Sequence, residues 1–387
     1  MNPPPGRVLV VDDTEVNRDL LARRLKALGH EVAFAENGRR ALEMLQESEY
    51  DLVLLDIMMP EVDGYQVLER LRADPERRHI PVIMISAVDE IESVVRCIEL
   101  GAADYLPKPF NPVVLRARVG ATLERKRLQD RERLRMRELE RELEIGREIQ
   151  QGFLPDSLPQ PPGWEIASAC HPARQVGGDF YDAFPLADGR IALAVADVCD
   201  KGVGAALFMA LFRSLLRSHA ELHGQGSPAA GACTSVIALT NDYIARTHGR
   251  SNMFATIFFG ILDPATGELT WVNAGHVPPV VRRASGALER LSPTGPAVGL
   301  MPSSSFVAGW TTLGYGDLLL VLTDGVTDER APSGAFYGED PLLAILGEPS
   351  SGAQALLSKI EQSVGAHRGA TERSDDLTML AVSREKA

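Results

Sequence analysis

Long apolar runs, closely paired cysteines and an excess of positive charge are all missing from this chain, and each absence removes a class of protein. No segment approaches the ~20 consecutive apolar residues of a membrane-spanning helix. The start, residues 1–7, is proline-rich and has no apolar stretch behind a basic one, unlike a secretory leader. The four cysteines, Cys97, Cys170, Cys199 and Cys233, never fall at CxxC spacing, so neither a zinc site nor a disulfide framework is indicated. Reduced thiols in a cytoplasmic protein are the expectation. Asp and Glu number 53 against 40 Lys and Arg, a formal net charge of -13. Surfaces for nucleic acid or anionic membrane need the opposite balance, so neither partner is expected.

The 387 residues exceed one ordinary core. At roughly 150 residues per domain, two domains and a connector are expected. Through residues 7–122, β-branched runs alternate with helical periods. Strands are expected at 7–12, 30–35, 51–56, 80–86 and 104–106, and helices at 14–28, 39–45, 65–71 and 91–100. Repeated βα units with continuous apolar strands imply a parallel sheet covered on both faces, with its chemistry at the carboxyl ends of the strands. Residues 113–153 read as one long helix with a broken apolar seam at Leu139, Leu143, Ile149 and Phe153. That pattern fits a solvated spacer or a dimerising coiled coil. Proline-rich residues 154–163 close it. Beyond lie strands at 191–196, 254–262, 269–272, 278–282, 318–322 and 378–382, with a hairpin turn at 263–267. Helices at 205–220, 232–247, 342–346 and 353–365 separate them, which suggests two sheets with helices outside.

Acids mark the strand ends of the first half. Asp12 and Asp13 follow the first strand, Asp56 the third; Ser86 ends the fourth, and Lys108 follows the fifth. Three converging carboxylates repel and call for a hard cation such as Mg²⁺. A carboxylate beside that cation can attack a phosphoryl donor, with Lys108 and Ser86 placed for the phosphoryl oxygens. The runs VVDD, LLDIMMPEVDG, ISA and YLPKPF, in this order, resemble the receiver domain of two-component response regulators over residues 7–120. The resemblance implies that Asp56 is the phospho-acceptor and that Asp12, Asp13 and the Met58 carbonyl help hold Mg²⁺. It also implies that Ser86, Tyr105 and Lys108 form the switch, and that a sensor histidine kinase is a partner.

In the second half aspartates sit beside glycines, in VGGDFYD (Asp179, Asp182), AVADVCDKG (Asp197, Asp200), LTDGVTDER (Asp324, Asp328) and SDDLTML (Asp375, Asp376). Paired divalent ions that activate water and neutralise phosphate charge suit phosphoester hydrolysis, and carboxylates suit Mg²⁺ or Mn²⁺. These motifs, with NAGHVPPVV and the preceding REIQQGFLP, resemble the PPM (type 2C) serine/threonine phosphatases over residues 150–384. The closest likeness is to the bacterial branch that regulates sigma factors by partner switching. The resemblance implies two Mn²⁺ or Mg²⁺ ions held by Asp179, Asp197, the Val198 carbonyl, Asp324 and Asp375. Arg174, Asp376 and Asp200 are further candidates. Relatives read DVSGHG or DVSGKG where this chain has DVCDKG. Cys199 is read as a small buried filler over a nucleophile, and His276 as a structural turn histidine over a catalytic base.

The expected architecture is a doubly wound parallel-sheet receiver (1–122), a helical coiled-coil linker (123–155) and an α-β-β-α sandwich phosphatase (156–385). The expected function is a response regulator whose aspartate phosphorylation controls a phosphoserine/phosphothreonine phosphatase. Its substrate would resemble an anti-sigma-factor antagonist, and the chain would form a homodimer. The alternative is a non-catalytic, receiver-controlled adaptor that sequesters a partner protein. A DNA-binding regulator is disfavoured, because no basic helix-turn-helix pattern follows residue 120.

Overall fold

The structure, a computed structural model, describes residues 5–86, 91–223, 227–348 and 352–385. The chain divides into two compact units, Met1–Leu139 and Glu140–Ala387. Among the described residues no helix is long and apolar enough to cross a membrane.

In the first unit, β1 (Arg7–Val11), β2 (Glu31–Ala35), β3 (Leu52–Asp56), β4 (Val82–Ser86) and β5 (Asp104–Pro107) form one parallel sheet in the order β2-β1-β3-β4-β5. Successive side chains of a strand point to opposite faces. Leu9, Val11, Val53 and Leu55 therefore pack with α2 (Gly38–Glu47) and α3 (Gly64–Ala73), through Ala41, Leu45, Val67 and Leu68. Cys97 of α4 (Ile91–Glu99) joins that layer. Val8, Val10, Leu52 and Leu54 meet Leu21 and Leu25 of α1 (Glu15–Ala27) on the other face, along with Leu115, Val119 and Leu123 of α5 (Pro112–Gln151). This is the doubly wound sheet expected from the continuous apolar strands.

Helix α5 is 40 residues long and starts at Pro112, where a missing N–H costs no intrahelical bond. Asn111 Oδ1 caps it by accepting Val113 N–H at 2.9 Å. After Leu123 its apolar residues Leu128, Leu134, Met136, Leu139, Ile145 and Ile149 are exposed.

The second unit holds two antiparallel sheets. One has the order β13-β10-β9-β8-β7 and the other β12-β11-β14-β15-β6. The strands of the first are β7 (Phe180–Pro185), β8 (Ile191–Val198), β9 (Ala255–Leu262), β10 (Glu268–Ala274) and β13 (Gly309–Thr312). Those of the second are β6 (Trp164–His171), β11 (Val280–Arg282), β12 (Leu288–Arg290), β14 (Leu318–Leu322) and β15 (Leu377–Arg384). Their facing sides share a core that includes Val195, Phe258, Leu319, Val321 and Leu380. Helices α6 (Val203–His223) and α7 (Ala229–Thr247) cover the first sheet with Met209, Phe212 and Ile237. Helices α8 (Asp340–Gly347) and α9 (Ala353–Arg368) cover the second with Leu346, Leu357 and Ile360. The layers run helix, sheet, sheet, helix, as the sequence predicts. The expected hairpin joins β9 to β10, and Gly267 adopts φ +84° to close it.

Candidate functional site

The parallel sheet brings its acids together at one edge. Carboxylate oxygens of Asp12, Asp13 and Asp56 all lie within 4.8 Å of one another. Among the described residues this is the one group of three such ligands at that spacing. Lys108 Nζ stands 2.9 Å from Asp12 Oδ2 and 3.0 Å from Asp56 Oδ1. Asp12 is fully buried and also accepts from Asn17 Nδ2, at 3.0 and 3.1 Å. Arg18 Nη1 donates to the carbonyls of Asp12 and Asp13 at 2.7 and 3.0 Å, which fixes the acidic turn. Burial raises Asp56 to about 6 even with the Lys108 ammonium opposing it. Gly64 lies close behind, and a Cβ there would come 2.2 Å from the Asp56 carbonyl.

The other residues of this site are placed as follows. Ser86 is buried at the end of β4, and its carbonyl accepts Lys108 N–H at 2.7 Å. Tyr105 is half-buried on β5, and the Met58 side chain is exposed. One ammonium cannot neutralise three carboxylates. This oxygen-only donor set with surplus negative charge fits a hard divalent cation.

In the second unit the acids form a string. Asp179 is buried just ahead of β7; Asp197 and Val198 end β8. Asp324 follows β14 and Asp375 precedes β15. Burial, then the charge of Asp197, pushes the Asp179 carboxyl well above the usual range. Burial, then the charge of Asp324, raises Asp197 to about 6. Asp324 is raised by burial and then by Asp375. Asp179, Asp197 and Asp324 are thus each raised by the next acid along, although no three of the four gather within 4.8 Å of one another. These four are oxygen donors, with no histidine or cysteine among them, the donor chemistry that a hard divalent cation would take.

Several contacts escape sequence reasoning. Thr323 Oγ1 donates to Asp179 Oδ2 at 2.7 Å. Lys201 Nζ lies 2.8 Å from Asp375 Oδ2 and 3.0 Å from the Ser374 carbonyl. The amide of Gln150 pairs with the backbone of Gly177. A lysine in DVCDKG and a threonine before LTDG's aspartate were visible signals, whereas Gln150 depends on a contact between distant segments.

The remaining candidates separate. Asp376 is buried, with Oδ1 accepting Ala173 N–H and Oδ2 accepting Gly178 N–H, both at 2.7 Å. Asp200 is exposed at φ +73° and accepts from Lys201 N–H. Arg174 is exposed and lines a cavity shared with Asp179. Asp182 departs from the expectation of acids at strand ends. It sits within β7, buried, 3.0 Å from Arg213 Nη2, and serves a pair between β7 and α6. Cys199 is half-buried; its Sγ accepts Phe254 N–H and donates to the Asn252 carbonyl. His276 is buried at the turn after β10, donates its backbone N–H to Asn273 Oδ1 and has its Nδ1 2.8 Å from Thr256 Oγ1.

The family model of Stage II sporulation protein E (SpoIIE) matches residues 187–385. The chain belongs to the SpoIIE family. Its first unit carries a response regulator receiver domain, matched over residues 8–120. Asp197, Asp324 and Asp375 fall inside the SpoIIE match; Asp179 lies ahead of it. This SpoIIE-family chain is 43% identical over 258 residues to Protein IcfG of Synechocystis sp., covering 61% of this chain and 40% of that protein. It is 46% identical over 114 residues to the Response regulator PleD of Caulobacter vibrioides, covering 30% of this chain and 25% of that protein. The chain therefore spans less than half of either relative. The SiaA-PP2C domain of Pseudomonas aeruginosa, at 20% identity and TM-score 0.54, shares the fold over 65% of this chain and 98% of that one.

Proposed function

We propose that phosphorylation of Asp56 controls a metal-dependent phosphatase that acts on phosphoserine or phosphothreonine in a partner protein. The observation that carries this reading is the string Asp179–Asp197–Asp324–Asp375, in which burial and then the charge of the next acid raise Asp179, Asp197 and Asp324, in a SpoIIE-family chain. Residues 1–122 are read as the receiver, 123–155 as the linker and 156–385 as the phosphatase.

In the receiver, Asp12, Asp13 and the Met58 carbonyl hold Mg²⁺. An Asp56 carboxylate oxygen forms a bond to phosphorus as the donor's phosphorus–nitrogen bond breaks on a histidine kinase. Lys108, already within 3.0 Å of Asp56, steadies the phosphoryl oxygens. Ser86 and Tyr105 carry the change outward.

In the phosphatase, Asp179, Asp197, the Val198 carbonyl, Asp324 and Asp375 hold two Mn²⁺ or Mg²⁺ ions. When bound, these ions supply a nucleophile from water and neutralise phosphate charge. Thr323 fixes the Asp179 carboxyl, and Asp376 ties the Ala173 and Gly178 backbones together beneath it. Arg174, on the rim of the cavity that Asp179 lines, meets the substrate phosphate. Asp200 remains a loop acid. The REIQQGFLP and VGGDFYD segments support a substrate like an anti-sigma-factor antagonist, and the exposed apolar residues of α5 support a homodimer.

Turnover of p-nitrophenyl phosphate tests the enzymatic reading against the adaptor reading. Hydrolysis that needs Mn²⁺ or Mg²⁺ and stops in EDTA is expected. A folded protein that hydrolyses nothing with either ion is an adaptor.

A further inference from the structure

Lys201 lies in the turn between β8 and α6, and the backbone around it is pinned. Asp200 and Gly202, on either side, both take left-handed backbone, at φ +73° and +83°. For Asp200 this is a conformation that residues with a side chain rarely adopt. Its Oδ1 accepts the Lys201 N–H at 2.8 Å. Cys199 N–H donates to the Phe254 carbonyl at 2.9 Å, and its Sγ accepts the Phe254 N–H at 3.2 Å, so the turn is tied to the residue ahead of β9. From this turn the Lys201 side chain reaches the segment ahead of β15. Its Nζ stands 2.8 Å from Asp375 Oδ2 and donates to the Ser374 carbonyl at 3.0 Å. Among the described residues this is the one ion pair made by Asp179, Asp197, Asp324 or Asp375. Asp324, raised by burial and then by Asp375, is drawn the other way by Lys201.

We propose that Lys201 sets how strongly the Asp324–Asp375 end of the string takes a divalent cation: its ammonium shares Asp375 with the ion and holds that affinity down. This rests on the reading of Asp375 as a metal ligand. An ammonium and a divalent ion on one carboxylate repel each other, and the ion's double charge doubles the effect. The second contact, to the uncharged Ser374 carbonyl, keeps the ammonium beside the acid. Lysine suits this role, with three donors on a compact charge at the end of a flexible stem. The Lys201 and Asp375 side chains are 38% and 36% exposed, so water and salt screen the repulsion and the expected effect is moderate. A residue that merely braced Asp375 would have the opposite effect, because its loss would weaken ion binding.

Mn²⁺ affinity of the full chain, read by calorimetry and by the paramagnetic resonance of free Mn²⁺ at low ionic strength, tests the proposal. The proteins are wild type, Lys201→Gln, Lys201→Arg and Asp375→Asn, each first checked for a cooperative melt. Lys201→Gln keeps a donor and drops the charge, and it should bind Mn²⁺ at least ~10-fold more tightly than wild type. Lys201→Arg keeps the charge and should stay close to wild type. Added KCl should narrow the gap between Lys201→Gln and wild type, as it must for a fixed charge at a half-exposed site. If Lys201→Gln fails to fold, Lys201→Met, which keeps an unbranched stem without the charge, carries the test. Unchanged or weaker Mn²⁺ binding in a folded, uncharged variant, with Asp375→Asn impaired, overturns the role of Lys201 alone. Wild-type affinity in Asp375→Asn overturns the metal reading beneath it.

Discussion

Thr323 Oγ1 donates to Asp179 Oδ2 at 2.7 Å, with both residues shielded from water. The same hydroxyl accepts Thr378 N–H at 3.1 Å, so it joins the end of β14 to β15 and to the buried acid. Thr323→Val keeps the shape and removes the hydroxyl. It leaves a buried backbone N–H and a carboxyl oxygen without this partner, a cost of about 1–3 kcal/mol in unfolding free energy. Mn²⁺ affinity should fall by about 10-fold, since the oriented acid is freed. Urea titration and calorimetry check both effects. Unchanged Mn²⁺ binding would remove Thr323 from the site.

Asp56→Asn should abolish phosphoryl uptake from a small-molecule donor while the receiver stays folded. The amide is nearly isosteric and still fits beside Lys108, but it is a poor nucleophile. Mass spectrometry of the isolated protein reads the result. An acid-labile phosphate that persists in the variant moves the acceptor elsewhere.

Asp324→Asn should lower the phosphatase rate by at least ~100-fold if that carboxylate anchors a metal. Asp200→Asn should change it little, because Asp200 is exposed and accepts its neighbour's N–H. Steady-state rates over a Mn²⁺ series separate the two. Equal losses would make the string Asp179–Asp197–Asp324–Asp375 the wrong set.

Burial lowers His276 to about 4, against an ordinary histidine near 6.5. The native state therefore keeps this imidazole neutral while the unfolded chain protonates it. Its contribution is complete above pH 6.5 and is lost as pH falls toward 4. The full span corresponds to about 3 kcal/mol. The difference in unfolding free energy between wild type and His276→Gln should narrow over that window. A constant difference from pH 7 to pH 4.5 would mean that His276 titrates in the folded protein as it does in water.

All six strands expected in the second half are present, and the four missed ones share a position. The missed strands, Trp164–His171, Phe180–Pro185, Leu288–Arg290 and Gly309–Thr312, are the edges of the two sheets. Edge strands are less enclosed and carry more polar and interrupted sequence, so the apolar run that betrays a central strand is weak there. Asp182 shows the matching error at the site. Its place in VGGDFYD looked like that of Asp179, but three residues further along the chain put it inside β7, facing Arg213. Asp56 and Lys108 were legible because a parallel sheet sends every strand's carboxyl end to one edge. Gln150 was not, since nothing in the local pattern states that a helix amide will meet Gly177, 27 residues away.

The most direct test of the account measures phosphate release from a phosphoserine-bearing anti-sigma-factor antagonist by the full chain in Mn²⁺, with and without beryllofluoride as a stand-in for the phosphoryl group on Asp56. The account predicts hydrolysis that disappears in EDTA and a rate that shifts when beryllofluoride is added, with the shift absent in Asp56→Asn. Mn²⁺-dependent hydrolysis at one rate with and without beryllofluoride, once its binding to the receiver is verified, would contradict it.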